Sequence, residues 1–236
     1  MAAYNDLSAM NFVNVNVHLH TPYSFSAFSD IDDALDRAVA ENVKVVGIND
    51  FYTTEGYEEW ADGCRKRGLY PLFGIEFISL NEEDQKAGLR VNDPGNPGRT
   101  YVSGKGLACP FRLTEPFASQ LADVRTKANK QVEAMCEKLN GILTGKNAGF
   151  ILDIDWIKDN LTKGSVRERH LAKALRLKVY ENCSGNPTSI KNLLKEIFDG
   201  KELKSTTENL AGVENEIRAN LLKSGGLAFV PETAEA

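Results

Sequence analysis

In residues 12–20, FVNVNVHLH, apolar and polar types alternate strictly from Val13 onward. Side chains of a strand switch faces at every residue, so Val13, Val15, Val17 and Leu19 share one face, and Asn14, Asn16, His18 and His20 share the other. In an α/β layer the valine face is expected beneath helices and the polar face in the concave interior of the sheet. A helix follows: Ser29 with Asp32 resembles a capping box, and Ile31, Ala34, Leu35, Ala38 and Val39 make an apolar stripe at helical spacing. VKVVGIND (43–50) reads as a buried strand, 55–67 as a second helix and LYPLFGIEF (69–77) as a third strand. The order β-α-β-α-β implies parallel strands joined by right-handed crossovers, an α/β fold.

Beyond this unit the pattern changes. Residues 92–106 are dense in Gly, Pro and Asn and read as a long loop with a short strand at TYV. From Thr114 to Ser224 the periodicity is helical. Phe117, Leu121, Val124, Ala128, Val132, Met135 and Leu139 predict one long helix, with further helices near 166–180, near 188–199 and through Leu210, Val213, Ile217 and Leu221. GGLAFV (225–230) then reads as another strand. The expected organisation is an α/β part over 1–110, a helical insertion over 111–224 and a returning strand over 225–236.

Composition narrows the function classes. Apolar residues make up 42% and charged residues 26% of 236 residues, the mix of an ordinary globular protein. No stretch of about 18 apolar residues is present, which argues against a membrane span. Residues 1–11 lack the pattern of a secretory signal, and no two of Cys64, Cys109, Cys136 and Cys183 form a CxxC pair, so reduced thiols in a cytoplasmic protein are expected. Acids outnumber bases, 33 to 28. That balance argues against a broad duplex nucleic-acid footprint but leaves room for a small phosphorylated substrate, which needs only a few local cations.

The sharpest chemical signal is His18-Leu19-His20. At strand period two both imidazoles point to one face, at the C-terminal end of the first strand, where parallel α/β folds place their sites. Asp50 and Glu76 each end their own predicted strand and are expected on the same rim. Two imidazoles with carboxylates from neighbouring strands form a ligand set suited to Zn, Mn or Fe. Asp50 has an alternative role as a turn cap ahead of Thr53 and Thr54.

HLHTPYS, GINDF and FGIEF, in this order and spacing over roughly residues 13–80, resemble the opening motifs of the PHP (polymerase and histidinol phosphatase) family. The resemblance implies a distorted (β/α)7 TIM-like barrel, here partial, that binds divalent metal at its C-terminal rim and in many members hydrolyses phosphoesters. It makes His18 and His20 the first metal-binding pair and Glu76 the bridging carboxylate, with His18, His20, Asp50 and Glu76 as the catalytic group. Where the family carries Asp-His, this chain has Asp50-Phe51. Phe51 offers no lone pair, so one or two ions are expected rather than three. SVRERHLAKAL (165–175) resembles a substrate-contacting segment of some small PHP phosphoesterases and marks Arg167, Arg169 and His170. Arg99 and Lys105 join them as candidate phosphate-binding cations. GGLAFVPE (225–232) resembles a family strand ending in a metal-binding His, and places Glu232 as a substitute ligand. The family's later motifs are absent, so further C-terminal barrel residues of a longer protein are expected partners. Three functions follow from the resemblance: a metal-dependent phosphoesterase acting on a small phosphorylated substrate or nucleotide, a degenerate PHP module that binds metal, ligand or partner without hydrolysis, and a polymerase-associated nuclease, which the acidic balance disfavours.

Overall fold

The computed structural model describes residues 13–231. Among these residues four strands form one sheet in the order β1 (Asn14–Leu19), β2 (Val43–Phe51), β3 (Tyr70–Leu80), β4 (Arg99–Lys105). It curls into a half-barrel. β1 pairs with β2 and β2 with β3 in parallel, as the β-α-β-α-β reading expects. β4 differs. Leu107 N–H donates to Phe73 O, and Asn81 N–H to Gly98 O, so the two strands run in opposite senses. The cause lies in the connection: α3 (Glu82–Ala87) has only six residues and buries none of them, so it cannot serve as a crossover helix packed on the sheet. The second half of the expected long loop is thus strand β4.

The chain divides into two compact units. The first comprises residues 13–22, 26–76 and 103–111 of the described chain. Its core gathers α1 (Ile31–Ala40), which packs on β2 and on α2 (Tyr57–Arg67), with Ile31, Leu35, Val46, Ile48, Tyr57, Trp60 and Cys64 buried. The cap of α1 is Asp30, whose carboxylate accepts from Asp33 N–H at 2.7 Å, one residue later than the Ser29 box expected. Gly63 lets the helices close: a Cβ there would stand 2.5 Å from Leu35 Cδ1. The valine face of β1 is a correction. Val13, Val15 and Val17 are 56%, 56% and 40% exposed, because β1 is the end strand of the sheet and the buried stripe of α1 serves its neighbour.

The second unit comprises residues 23–25, 77–102 and 112–231 of the described chain. Its core lies among α4 (Phe117–Gly145), α5 (Ile154–Leu161), α6 (Glu168–Asn182), α7 (Pro187–Ile197), α8 (Leu210–Ile217) and a π-helical turn at Arg218–Leu222. Leu139, Leu143, Leu171, Leu175, Leu194 and Ile217 are wholly buried there. The expected strand at 225–230 does not form. Leu227 and Ala228 N–H donate to Asn220 and Leu221 carbonyls, which folds this apolar stretch back as turns, and Ala228 is buried in the helical core. Orphan carbonyls at a helix end are ready acceptors, and they take the bonds that a ladder would otherwise use.

No helix among the described residues is long and apolar enough to cross a membrane. All four cysteines are free thiols. Burial pushes Cys64 up to about 12 and Cys136 up to about 11, so neither supplies a thiolate near neutral pH.

Candidate metal centre

Strand pairing brings the first three motifs together. Phe51 stands opposite Glu76 in the β2–β3 register, and Tyr52 N–H donates to the Glu76 carbonyl at 3.1 Å. Tyr52 adopts φ +56°, a left-handed conformation that a bulky residue rarely takes, and it turns the chain out of β2 at this rim. Between Asn16 and Leu19, β1 carries one residue more than the β2 segment it pairs with. That irregularity lies beneath His18. β1 approaches β2 so closely here that a Cβ on Gly47 would stand 2.7 Å from Val17 O and 2.8 Å from Val17 Cα. Only glycine allows the approach.

The outcome is a cluster of three ligand atoms. His18 Nε2 and His20 Nε2 each lie 3.2 Å from Glu76 Oε2. The ligand atoms of the three residues all fall within 4.8 Å of one another. Ligands bonded to one ion at ~2.0–2.1 Å in tetrahedral array stand about 3.3 Å apart, so this donor set of two imidazoles and one carboxylate fits a divalent metal in spacing and in chemistry. Glu76 is buried, with 6% of its side chain accessible, while the His18 side chain is 47% accessible and offers a way in. Burial acts to raise the Glu76 carboxyl, but the hydrogen bond with His20 and the closeness of both imidazoles outweigh it, and the group is held below the ordinary carboxylate value.

Phe51 occupies the flank of the cluster. Its ring stacks on His20 with centroids 4.9 Å apart and planes 12° apart. It contributes an apolar wall and ring orientation, and no ligand atom. Asp50, one residue earlier on β2, plays a different part. Its oxygens accept from Thr21 N–H at 2.7 Å and from Thr21 Oγ1 at 2.5 Å. It ties the segment after His20 to β2, and it is not among the three residues gathered at Glu76. Parity explains the split, because neighbours on a strand point to opposite faces.

Residues with Phe51's parity face the cluster, and sequence reasoning passed over one of them. Asn49, fully buried, has its Nδ2 3.0 Å from His18 Nε2 and 3.1 Å from Ser103 Oγ. Ser103 in turn donates to Glu76 Oε1 at 3.5 Å. Lys105 Nζ donates to Asn49 Oδ1 at 2.6 Å and to Val17 O at 2.9 Å. The available signal for Asn49 was its two-residue spacing from Phe51; the other partners, Ser103 and Lys105, lie on β4 just beyond the short strand expected at TYV.

The remaining candidates among the described residues belong to the second unit. Arg99 pairs with Asp93 at 3.6 Å and lies over the Tyr101 ring. Arg169 lies 4.8 Å over the Phe25 ring. Arg167 is the cap residue of α6, and its N–H donates to His170 Nδ1 at 3.0 Å. Glu232 lies outside the described residues.

His170 therefore closes the first turn of its helix, and it carries a pH prediction. Burial first, then the neighbouring Arg167, Lys173 and Arg169, push its pKa down to about 4, against the opposing charge of Glu168. An unfolded histidine titrates near ~6.5. Below that value the unfolded state gains a proton that the folded state refuses. The stability tied to neutral His170 is complete above about pH 6.5 and is lost as pH falls toward about 4, amounting to about 3 kcal/mol. Urea titrations at about pH 7 and about pH 4.5 should show a smaller acid loss in His170→Gln than in the wild type, since Gln at this position can keep the cap. Equal losses in the two proteins would remove His170 from the acid response.

Residues 16–95 match the PHP domain family model. No curated protein matches the chain at a significant level. Among solved structures, the chain resembles a Bifidobacterium adolescentis protein classed by inference as a metal-dependent phosphoesterase, at 20% identity and a TM-score of 0.51, over 75% of this chain and 55% of that one. It also resembles an amidohydrolase from Chromobacterium violaceum, solved with bound sulfate and no metal, at 15% identity and a TM-score of 0.54, over 93% of this chain and 59% of that one. At these identities the likeness is one of fold. The chain spans a little over half the length of the structures it matches.

Proposed function

From a chain that carries a PHP domain over residues 16–95, we propose a metal-dependent phosphoesterase that acts on a small phosphorylated substrate or nucleotide. The observation that supports it is the convergence of His18 Nε2 and His20 Nε2 on Glu76 Oε2 at 3.2 Å each. The ion, one or two of Zn, Mn or Fe, supplies Lewis-acid chemistry when bound: it makes a nucleophile available at neutral pH and neutralises charge on phosphoryl oxygens. The chain's own residues do the rest. His18 and His20 present Nε2 atoms from one strand, and Glu76 supplies the negative charge that balances a cation. Phe51 fixes the His20 ring and keeps water from that flank. Asp50 holds the segment after His20 through Thr21. Arg99, Arg167 and Arg169 are the proposed phosphate-binding cations, because a guanidinium matches a phosphate's oxygens in a two-point grip. Further barrel strands, in this polypeptide or another, are proposed to complete the sheet beside β1, which is its end strand among the described residues and has exposed valines.

Phe51 against His20 favours a second reading, a module that holds metal without hydrolysis. One experiment separates the two: elemental analysis of the purified protein together with a phosphatase screen, on wild type and His18→Ala. Bound metal and hydrolysis, both lost in His18→Ala, support the enzyme. Metal without turnover on any phosphoester supports the module. A wild type that holds no stoichiometric metal overturns both.

A further inference from the structure

Asn49 is fully buried on β2, and the ligand set alone does not account for its partners. One end of its amide is 2.6 Å from Lys105 Nζ, and the other is 3.0 Å from His18 Nε2 and 3.1 Å from Ser103 Oγ. An ammonium only donates, so the amide atom facing Lys105 is the oxygen. The opposite end is then the NH2 group, which also only donates. His18 Nε2 must accept from it, and in a neutral imidazole that places the ring proton on Nδ1. We propose that Lys105 and Asn49 are positioning residues that hold His18 as its Nδ1–H tautomer, with the Nε2 lone pair turned toward Glu76 Oε2.

Lys105 is itself held in place by the Val17 carbonyl, 2.9 Å from its ammonium. Its stem crosses Gly74 on β3, where a Cβ would stand 3.0 Å from Lys105 Cδ and 2.7 Å from Asn49 Oδ1. The bare glycine leaves room for the crossing, so a cation on β4 reaches both β1 and β2. The consequence falls on the metal centre. A Nε2 atom that accepts from Asn49 has no proton to give Glu76. Two electron-rich atoms then face each other at 3.2 Å, and a divalent cation is the chemical class that satisfies both. This deepens the proposed metal function and rests on it for its effect on affinity. The tautomer itself stands independently of any metal.

The test is nitrogen-15 NMR of the imidazoles in chelator-treated protein at about pH 8, above the ordinary imidazole value of ~6.5, with His18 identified by the signals lost in His18→Gln. The wild type should show His18 protonated at Nδ1 and bare at Nε2. In Lys105→Met the amide is no longer pinned. Both tautomers should then appear, and Zn2+ affinity should fall about 10-fold. Lys105→Arg, which keeps a donor-only cation, should restore both. Lys105 is partly exposed, so these variants leave the core alone; Asn49→Leu provides the second removal, with its amide spectrum as the check on folding. A wild-type His18 carrying its proton on Nε2, or a Lys105→Met protein with the wild-type tautomer, overturns the proposal. A wild type that binds no Zn2+ while His18 behaves as described ends the metal reading and supports the positioning one.

Discussion

Glu76→Gln is expected to lower Zn2+ affinity by more than about 100-fold while leaving the fold in place, since even residues outside the ligand shell cost 10–100-fold. The substitution keeps the shape and one carbonyl oxygen but removes the charge that both imidazoles approach at 3.2 Å. The two imidazoles remain, without the carboxylate charge that would balance a dication. The Ser103 hydroxyl can still donate to an amide oxygen, so local structure has little reason to change. Isothermal titration with Zn2+, beside a far-ultraviolet circular dichroism spectrum, makes the comparison. Undiminished binding by a folded Glu76→Gln protein would refute a common site at these three residues.

Trp60→Ala should cost about 3–5 kcal/mol of stability in the unit that carries β1 and β2. Trp60 is wholly buried and is the largest such side chain described. It lies on α2, which packs against α1, the helix laid on β2, the strand that carries Asn49 and Phe51. Its Nε1–H finds no hydrogen-bond partner among the described residues, an additional cost borne by the native state. Trp60→Phe, which removes that orphan donor and keeps most of the ring, should therefore lose much less than Trp60→Ala. The check is urea unfolding followed through amides of β2 and α1, because a chain of two units need not unfold in one step. A loss below about 1 kcal/mol in Trp60→Ala would mean that this core does not depend on the indole.

The sequence was most informative where the physics is local. Period-two alternation in FVNVNVHLH is enough to put His18 and His20 on one face, and the structure has them reach one carboxylate oxygen. The apolar stripe of α1, with Ile31, Leu35 and Ala38, and the crossovers through α1 and α2 follow from spacings within a dozen residues. The match of residues 16–95 to the PHP domain model was legible for the same reason: the motifs that resemble that family are short and ordered along the chain.

Tertiary structure decided what depends on distant partners. Which carboxylate joins the histidines rests on register between strands, and it selects Glu76, while Asp50 turns to Thr21 on the other side of β2. Asn49 meets His18 across the β1–β2 pairing, and its amide is held by Lys105, 56 residues away in sequence, over the bare backbones of Gly47 and Gly74. Alternation shows that the valines of β1 share a face but not whether anything covers it, since cover comes from other elements. Likewise the apolar stretch at 225–230 has a strand's composition, yet the carbonyls of Asn220 and Leu221 claim its amides and fold it into the helical unit. A backbone donor takes the nearest satisfactory acceptor that the whole fold presents, and no local pattern reveals which one that is.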